Sequence, residues 1–273
     1  MITALASLSR GAKAAVFFKT IHSEVLLMKT YEHSFTLRVS DCDGNNRWRP
    51  GALLVELQEI AGYHSAAMGF GREALLEKGI VWVLARTALR MNRYPCSGEK
   101  LTVTTYHRPA RHRLYPRFFL IRDGAGDLIG TASTLWVLMD VETRQSVSPD
   151  RLDARFPDNS DLPEPMPLPG SIPALEGETL VLPSHAVYTD LDPNGHVNNT
   201  RYVDWLCNIL GIETLRDNRI ADLTVHYNTE IRPGQEISLR LTRAGSRFHL
   251  AGFSGDNPEK ASFEIGGCLA SVL

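Results

Sequence analysis

Ser40-Asp41-Cys42-Asp43-Gly44-Asn45 and Thr189-Asp190-Leu191-Asp192-Pro193-Asn194 repeat one pattern of hydroxyl, acid, apolar or thiol, acid and amide residues, 149 positions apart. Each stretch follows a short alternating segment and precedes a helical one. After Pro50, residues Leu53, Leu54, Leu57, Ile60 and Ala61 recur three and four apart. After Asn199, residues Tyr202, Val203, Leu206, Ile209 and Leu210 do the same, the period of a helix with one apolar face. Strand-like segments then follow in each half. They are expected at about 80–93, 99–109, 115–122 and 128–139, and again at about 222–231, 235–244, 247–254 and 260–271. Turn signals separate them at Ser97-Gly98, Asp123-Gly124-Ala125-Gly126, Pro233-Gly234 and Ser254-Gly255-Asp256.

Each half therefore reads as strand, helix and four antiparallel strands. The expected class is α+β: a double hot-dog, two tandem repeats that each wrap a curled sheet around one long helix, a covalent version of a two-fold dimer. The repeats are expected at 29–143 and 183–273. Eight of the fifteen prolines fall between Pro149 and Pro183, so 144–182 is expected to be an extended linker. Residues 1–28 are expected to be an extension outside the fold. Residues 1–23 carry Arg10, Lys13 and Lys19 and no acid, as transit peptides do, and Met28-Lys29 resembles a natural start.

Composition narrows the class further. The chain has 273 residues, is 43% hydrophobic and 22% charged, and has a formal net charge of −2. That is globular rather than disordered, and it argues against a surface built for nucleic acid. No apolar run approaches the roughly 18 residues of a membrane span. Cys42, Cys96, Cys207 and Cys268 form no C-x-x-C pair, so neither a metal knuckle nor a disulfide framework is expected, and a reducing cytoplasm fits best.

The two halves differ at one telling position. The second loop reads Asp192-Pro193-Asn194-Gly195-His196-Val197-Asn198-Asn199, and Arg47 stands in the first half where His196 stands in the second. An imidazole moves protons near neutral pH, whereas a guanidinium stays charged. One working site per chain, in the second half, is the expectation. Asp192, Asn194 and His196 alternate and could face one cleft, with N–H groups of Val197, Asn198 and Asn199 at a helix start acting as an oxyanion hole. The plainer alternative is a turn made by Asp192 and Asn194, a cap from Asn198 or Asn199, and a surface histidine.

The string Leu191-Asp192-Pro193-Asn194-Gly195-His196-Val197-Asn198-Asn199-Thr200-Arg201-Tyr202 resembles the active-site segment of the plant and bacterial fatty acyl-acyl carrier protein thioesterases. Val81-Trp82-Val83-Leu84-Ala85-Arg86, with Asn92-Arg93-Tyr94-Pro95 and Gly98-Glu99, resembles that family's first-half sheet. Leu223-Thr224-Val225-His226-Tyr227-Asn228-Thr229-Glu230 resembles the strand that carries its acidic residue. The resemblance runs from about Lys29 to the C-terminus. It implies a thioester hydrolase releasing free fatty acid, with Asp192, Asn194, His196 and Glu230 as catalytic residues, no cofactor or metal, and acyl carrier protein as partner. The same site could serve an acyl-coenzyme A hydrolase, or a non-catalytic acyl-binding protein. A homodimer is compatible with sheets of this kind.

Many plant members carry a cysteine directly after the glutamate; here that residue is Ile231, which offers no nucleophile. His196 and Glu230 would then activate water, or Asp192 would attack to give an anhydride; both remain open at this point. Cys207 reads as core. His64 and His226 read as satisfied structural histidines. Trp82, Trp136, Met91 and Met139 read as core residues, some of them lining an acyl tunnel. The acid-free run containing Arg108, Arg111, Arg113 and Arg117 is either a solvated hairpin or a docking patch for an acidic carrier. Arg201, Arg216 and Arg219 offer a second basic face.

Overall fold

Along Leu101-Thr102-Val103-Thr104-Thr105 every second side chain is buried, the period of a strand with one face on a core. A computed structural model describes the chain over residues 28–148, 151 and 156–272. Apart from Met28, the expected N-terminal extension lies outside the described residues. The strands are β1 (Tyr31–Thr36), β2 (Ile80–Met91), β3 (Lys100–His107), β4 (Tyr115–Asp123), β5 (Leu128–Asp140), β6 (Glu178–His185), β7 (Asn218–Tyr227), β8 (Glu236–Ala244), β9 (Arg247–Ser254) and β10 (Phe263–Ser271). The helices are α1 (Pro50–Ala67), α2 (Arg72–Leu76), α3 (Arg201–Leu210) and α4 (Ile212–Asp217).

All the strands form one sheet in the order β1-β3-β4-β5-β2-β7-β10-β9-β8-β6. Each half contributes five neighbouring strands, and the halves join where β2 pairs antiparallel with β7, Ala88 opposite Thr224. The sheet curls over α1 and α3, which bury Leu53, Leu57 and Ile60, and Tyr202, Val203 and Leu206, in one continuous core. The two helices approach at Gly51, where a Cβ would overlap the Asp204 carboxylate. Only glycine permits that contact.

The repeat extends to the loops. Asp43 N–H donates to the Arg47 carbonyl at 2.8 Å, and Asp192 N–H to the His196 carbonyl at 2.9 Å. The Asp43 carboxylate accepts from Asn45 N–H and the Asp192 carboxylate from Asn194 N–H, both at 2.8 Å. Asn46 and Gly195 both hold positive φ, 57° and 79°, a region where Asn and Gly are the favoured residues.

Two boundaries differ from expectation. The linker ends at Gly177, because Glu178–Leu182 already pair with β8. Pro183 is tolerated in β6 because this strand is the sheet edge, where its missing N–H costs no ladder bond. Glu230 lies beyond β7 rather than on it. Asn228 and Thr229 both donate to the Ser262 carbonyl at 2.9 Å, so the chain leaves the ladder after Tyr227. The linker itself crosses the sheet face opposite the helices. Its carbonyls accept from Tyr106 Oη on β3 (Pro163, 2.9 Å), Ser133 Oγ on β5 (Pro167, 2.8 Å) and His226 Nε2 on β7 (Gly170, 2.7 Å). A proline-rich segment cannot add a full ladder, but its carbonyls still accept.

Candidate active site

The loop from Asp190 to Thr200 is held at both ends before it presents any side chain. Val197 N–H donates to the Ile231 carbonyl at 2.9 Å, and Asn198 N–H to the Asp190 carbonyl at 2.8 Å. The first of these bonds ties the His196 loop to the segment carrying Glu230. Ile231 is fully buried, which anchors the residue before it. His196 Nε2 accordingly stands 3.0 Å from Glu230 Oε2, with both side chains partly exposed.

Asp192, Asn194, His196, Glu230 and Asn199 line one cavity of about 1190 Å³. The side chain of Asp192 serves its own loop. Its Oδ1 accepts Asn194 N–H, and its Oδ2 accepts Asn194 Nδ2 at 3.3 Å. Asn198 Oδ1 accepts from Thr200 N–H at 3.0 Å and Thr200 Oγ1 at 2.8 Å, the local turn that starts α3. This corrects the proposed oxyanion hole. The N–H groups of Val197 and Asn198 are spent on carbonyls, and α3 begins only at Arg201. Asn199 alone of the three has an N–H without a hydrogen bond to another described residue.

Two arginines that the sequence did not single out reach the site. Arg144 Nη2 donates to Glu230 Oε1, and Arg72 Nη2 donates to Asn194 Oδ1 at 3.3 Å. Arg72 comes from the first repeat and Arg144 from the first residue of the linker, so the site is completed from outside the second repeat. Arg144 takes φ 57°, unusual for a residue with a side chain. No local pattern marks that turn in advance. Arg72, Arg144 and Arg232 are exposed where they line the cavity.

Deeper in, the cavity is walled by Phe70, Trp82, Leu84, Tyr115, Trp136, Met139 and Phe156. Several of these belong to a satellite core around α2 with Leu75 and Ile80. Met91, expected as core, is buried away from this lining. Tyr202, under the His196 loop, stacks on Phe263 with ring centroids 4.1 Å apart.

The basic run behaves differently from its sequence. Arg117 is buried, 6% exposed. It donates to His64 Nδ1 at 2.9 Å, Thr105 Oγ1 at 3.2 Å and Ser65 Oγ at 3.3 Å. Arg117 therefore is not a docking residue: β4 alternation turns it onto the helix face beside Phe119 and Ile121. Arg108 and Arg111 converge on Glu164 of the linker, at 3.4 and 2.5 Å, so an acid distant in sequence offsets part of the run's charge. Arg113 remains exposed and donates to the Ser146 carbonyl at 2.8 Å. Arg201 pairs with Asp204 and Arg216 with Asp217, while Arg219 donates to the Met91 carbonyl. No group of three His, Cys, Asp or Glu side chains suited to a metal ion occurs among the described residues. Cys207 packs against the core, and burial pushes its thiol up to about 12.

Two fused hot-dog repeats, with a histidine–carboxylate pair lining a cavity in the second of them, define a double hot-dog protein. Residues 28–152 match the acyl-ACP thioesterase N-terminal domain and residues 176–262 the acyl-ACP thioesterase C-terminal domain. The chain belongs to the acyl-ACP thioesterase family. It is 27% identical over 215 residues to a chloroplastic palmitoyl-acyl carrier protein thioesterase of Cuphea hookeriana, covering 73% of this chain and 51% of that protein. It is also 27% identical over 223 residues to a chloroplastic oleoyl-acyl carrier protein thioesterase of Coriandrum sativum, covering 74% and 59%. The chain thus spans little more than half the length of these plant relatives. An acyl-ACP thioesterase structure from Bacteroides thetaiotaomicron is similar at TM-score 0.79 and 26% identity, over 89% of this chain and 98% of that one. The 12:0-ACP thioesterase of Umbellularia californica, 19% identical, shares the fold at TM-score 0.72 over 89% and 97%. No helix among the described residues is long and apolar enough to cross a membrane.

Proposed function

We propose that this chain hydrolyses fatty acyl-acyl carrier protein, releasing free fatty acid, in a reducing compartment such as the cytosol. The observation that carries the reading is the 3.0 Å approach of His196 Nε2 to Glu230 Oε2 in the wall of a cavity of about 1190 Å³ that is also lined by Phe70, Trp82, Leu84 and Trp136. With Glu230 accepting the Nε2 proton, Nδ1 becomes the basic nitrogen of the neutral ring. That nitrogen takes a proton from water as its oxygen bonds to the thioester carbon. The carbonyl electrons move to oxygen, toward the Asn199 N–H. Collapse expels the thiolate, which takes the proton back from the imidazolium.

Water is preferred to Asp192 as nucleophile. Both Asp192 oxygens accept N–H bonds from Asn194, which stabilises the carboxylate and lowers its nucleophilicity. Glu230, bridging Arg144 and His196, orients the ring. Arg72 and Arg232, exposed on the lining and in no ion pair among the described residues, offer contacts to an anionic carrier beside the lining carboxylates. Fatty acid release from a panel of acyl-carrier and acyl-coenzyme A thioesters tests the assignment. Equal or better turnover of the coenzyme A esters would replace the carrier protein with coenzyme A. Binding without turnover would make this an acyl-binding protein.

A further inference from the structure

The same cavity contains a buried cation without a counter-charge. Arg117 and His107, each 6% exposed, both line it beneath β3 and β4. Among the described residues no carboxylate lies within 4.0 Å of the Arg117 guanidinium; its partners are His64, Thr105 and Ser65, all neutral acceptors. Burial alone lowers the Arg117 pKa to about 10. His64 is fixed as an acceptor, because its Nε2 faces the Met28 carbonyl at 3.3 Å and Nδ1 faces Arg117.

A guanidinium has five N–H donors. Two on Nη1 and one on Nη2 are used, which leaves Nε–H and one Nη2–H, enough for a two-point grip on a carboxylate. His107 Nε2 is also buried without a hydrogen-bond partner among the described residues. A cavity end meant for a terminal methyl group would exclude such groups, since an unpaired buried charge is costly. Arg117 stands opposite Thr134 on β5, whereas Arg144, which holds Glu230, follows the end of β5 at Asp140. About 20 Å of strand separates the two places at the usual rise, so this polar end sits away from Glu230.

We propose that the cavity end under β3 and β4 is a polar subsite, in which the Arg117 guanidinium, with His107 beside it, receives an oxygen acceptor, foremost a carboxylate, at the far end of the acyl chain. The inference rests on the reading that this cavity holds the acyl group. The substrates it favours are acyl thioesters with an oxygenated terminus, of which an ω-carboxyl chain complements the buried charge and an ω-hydroxyl chain supplies the acceptor alone.

Three carrier-free thioesters of equal chain length, ending in methyl, hydroxyl and carboxylate, separate these cases. The carboxylate-ended ester should show a KM about tenfold to a hundredfold below that of the methyl-ended ester, the scale of one or two charge-assisted hydrogen bonds. The hydroxyl-ended ester should fall between them. A hydroxyl-ended ester bound best would assign the subsite to neutral oxygen and overturn the carboxylate. Arg117→Met should reverse the order. A wild-type enzyme that binds the methyl-ended ester best, with the order unchanged in Arg117→Met, would make Arg117 a structural tie and end the proposal. Thermal shifts of the wild-type protein with free dicarboxylic and monocarboxylic acids of equal length need neither a variant nor turnover. A larger shift with the dicarboxylic acid supports the subsite even if no thioester is cleaved, an outcome that would remove only the hydrolase reading. Equal shifts, or a larger one with the monocarboxylic acid, would overturn the subsite.

Discussion

Arg47 and His196 occupy the same position of two loops that share their backbone hydrogen bonds, yet they do opposite things. His196 stands 3.0 Å from Glu230 in the cavity wall. Arg47 instead donates to the carbonyls of Leu215 and Asn218, at the end of α4 and the start of β7. One loop kept a titratable group beside a cavity, and the other became a clasp between the halves.

His196→Ala should therefore lower turnover by at least about a hundredfold, the scale of a lost general base. Arg47→Ala should leave kcat nearly unchanged and lower the melting temperature, since it strips donors from two partly buried carbonyls. Steady-state kinetics and thermal melts of both variants check this. Similar loss of kcat in the two would argue against a single site.

Arg144 restrains Glu230 from the start of the linker. Arg144→Ala should reduce kcat about tenfold, less than removal of a proton-transfer group, with the KM for a carrier-free thioester little changed. Arg144→Lys, which keeps charge but loses the planar fork, should recover part of the rate. An unaltered kcat in Arg144→Ala would reduce the contact to a surface ion pair.

Alkylation of the thiols should leave activity largely intact. Ile231 stands beside Glu230, and burial raises the thiols of Cys42, Cys207 and Cys268 above their ordinary value, which suppresses thiolate chemistry. Turnover after native-state alkylation measures this. Inactivation that substrate prevents and a single Cys→Ala change reproduces would restore a covalent mechanism.

Carrier recognition should follow the cavity mouth rather than the basic run. Arg72→Glu with Arg232→Glu should raise the KM for an acyl-carrier substrate several-fold, more at low salt than at 0.15 M, where screening acts over about 8 Å. Arg111→Glu with Arg113→Glu should change it much less, because Glu164 already compensates Arg111. The reverse ranking would return docking to the hairpin.

Acid should destabilise the first half in a defined window. Burial and the neighbouring Arg117 cation hold His64 down to about 3 and His107 down to about 4. Below about 6.5 the unfolded chain protonates both rings while the native one does not. Stability is thus complete above that pH and declines toward pH 4, by up to about 1.4 kcal/mol per pH unit for each ring. Denaturant melts between pH 7 and 4.5 should show a shallower slope in the H64N, H107N double variant. An equal slope would locate the acid sensitivity elsewhere.

Much of the architecture is written locally. The paired loops at Asp43 and Asp192, the helical spacing after Pro50 and Asn199, and the alternation just before each loop each depend on neighbours within a few residues, so period and repeat expose them directly. The contrast between Arg47 and His196 is equally visible, because duplication supplies its own reference. What tertiary structure alone decided are meetings across long separations. Glu230 leaves β7 because Ser262 takes the next two N–H groups, and it then meets Arg144 from the linker. Glu164 compensates only Arg108 and Arg111 of the acid-free run, and Arg117 of the same run turns inward from β4 onto His64. Charge and burial depend on distances in space, and a linear pattern specifies those only after the sheet has closed around its helices.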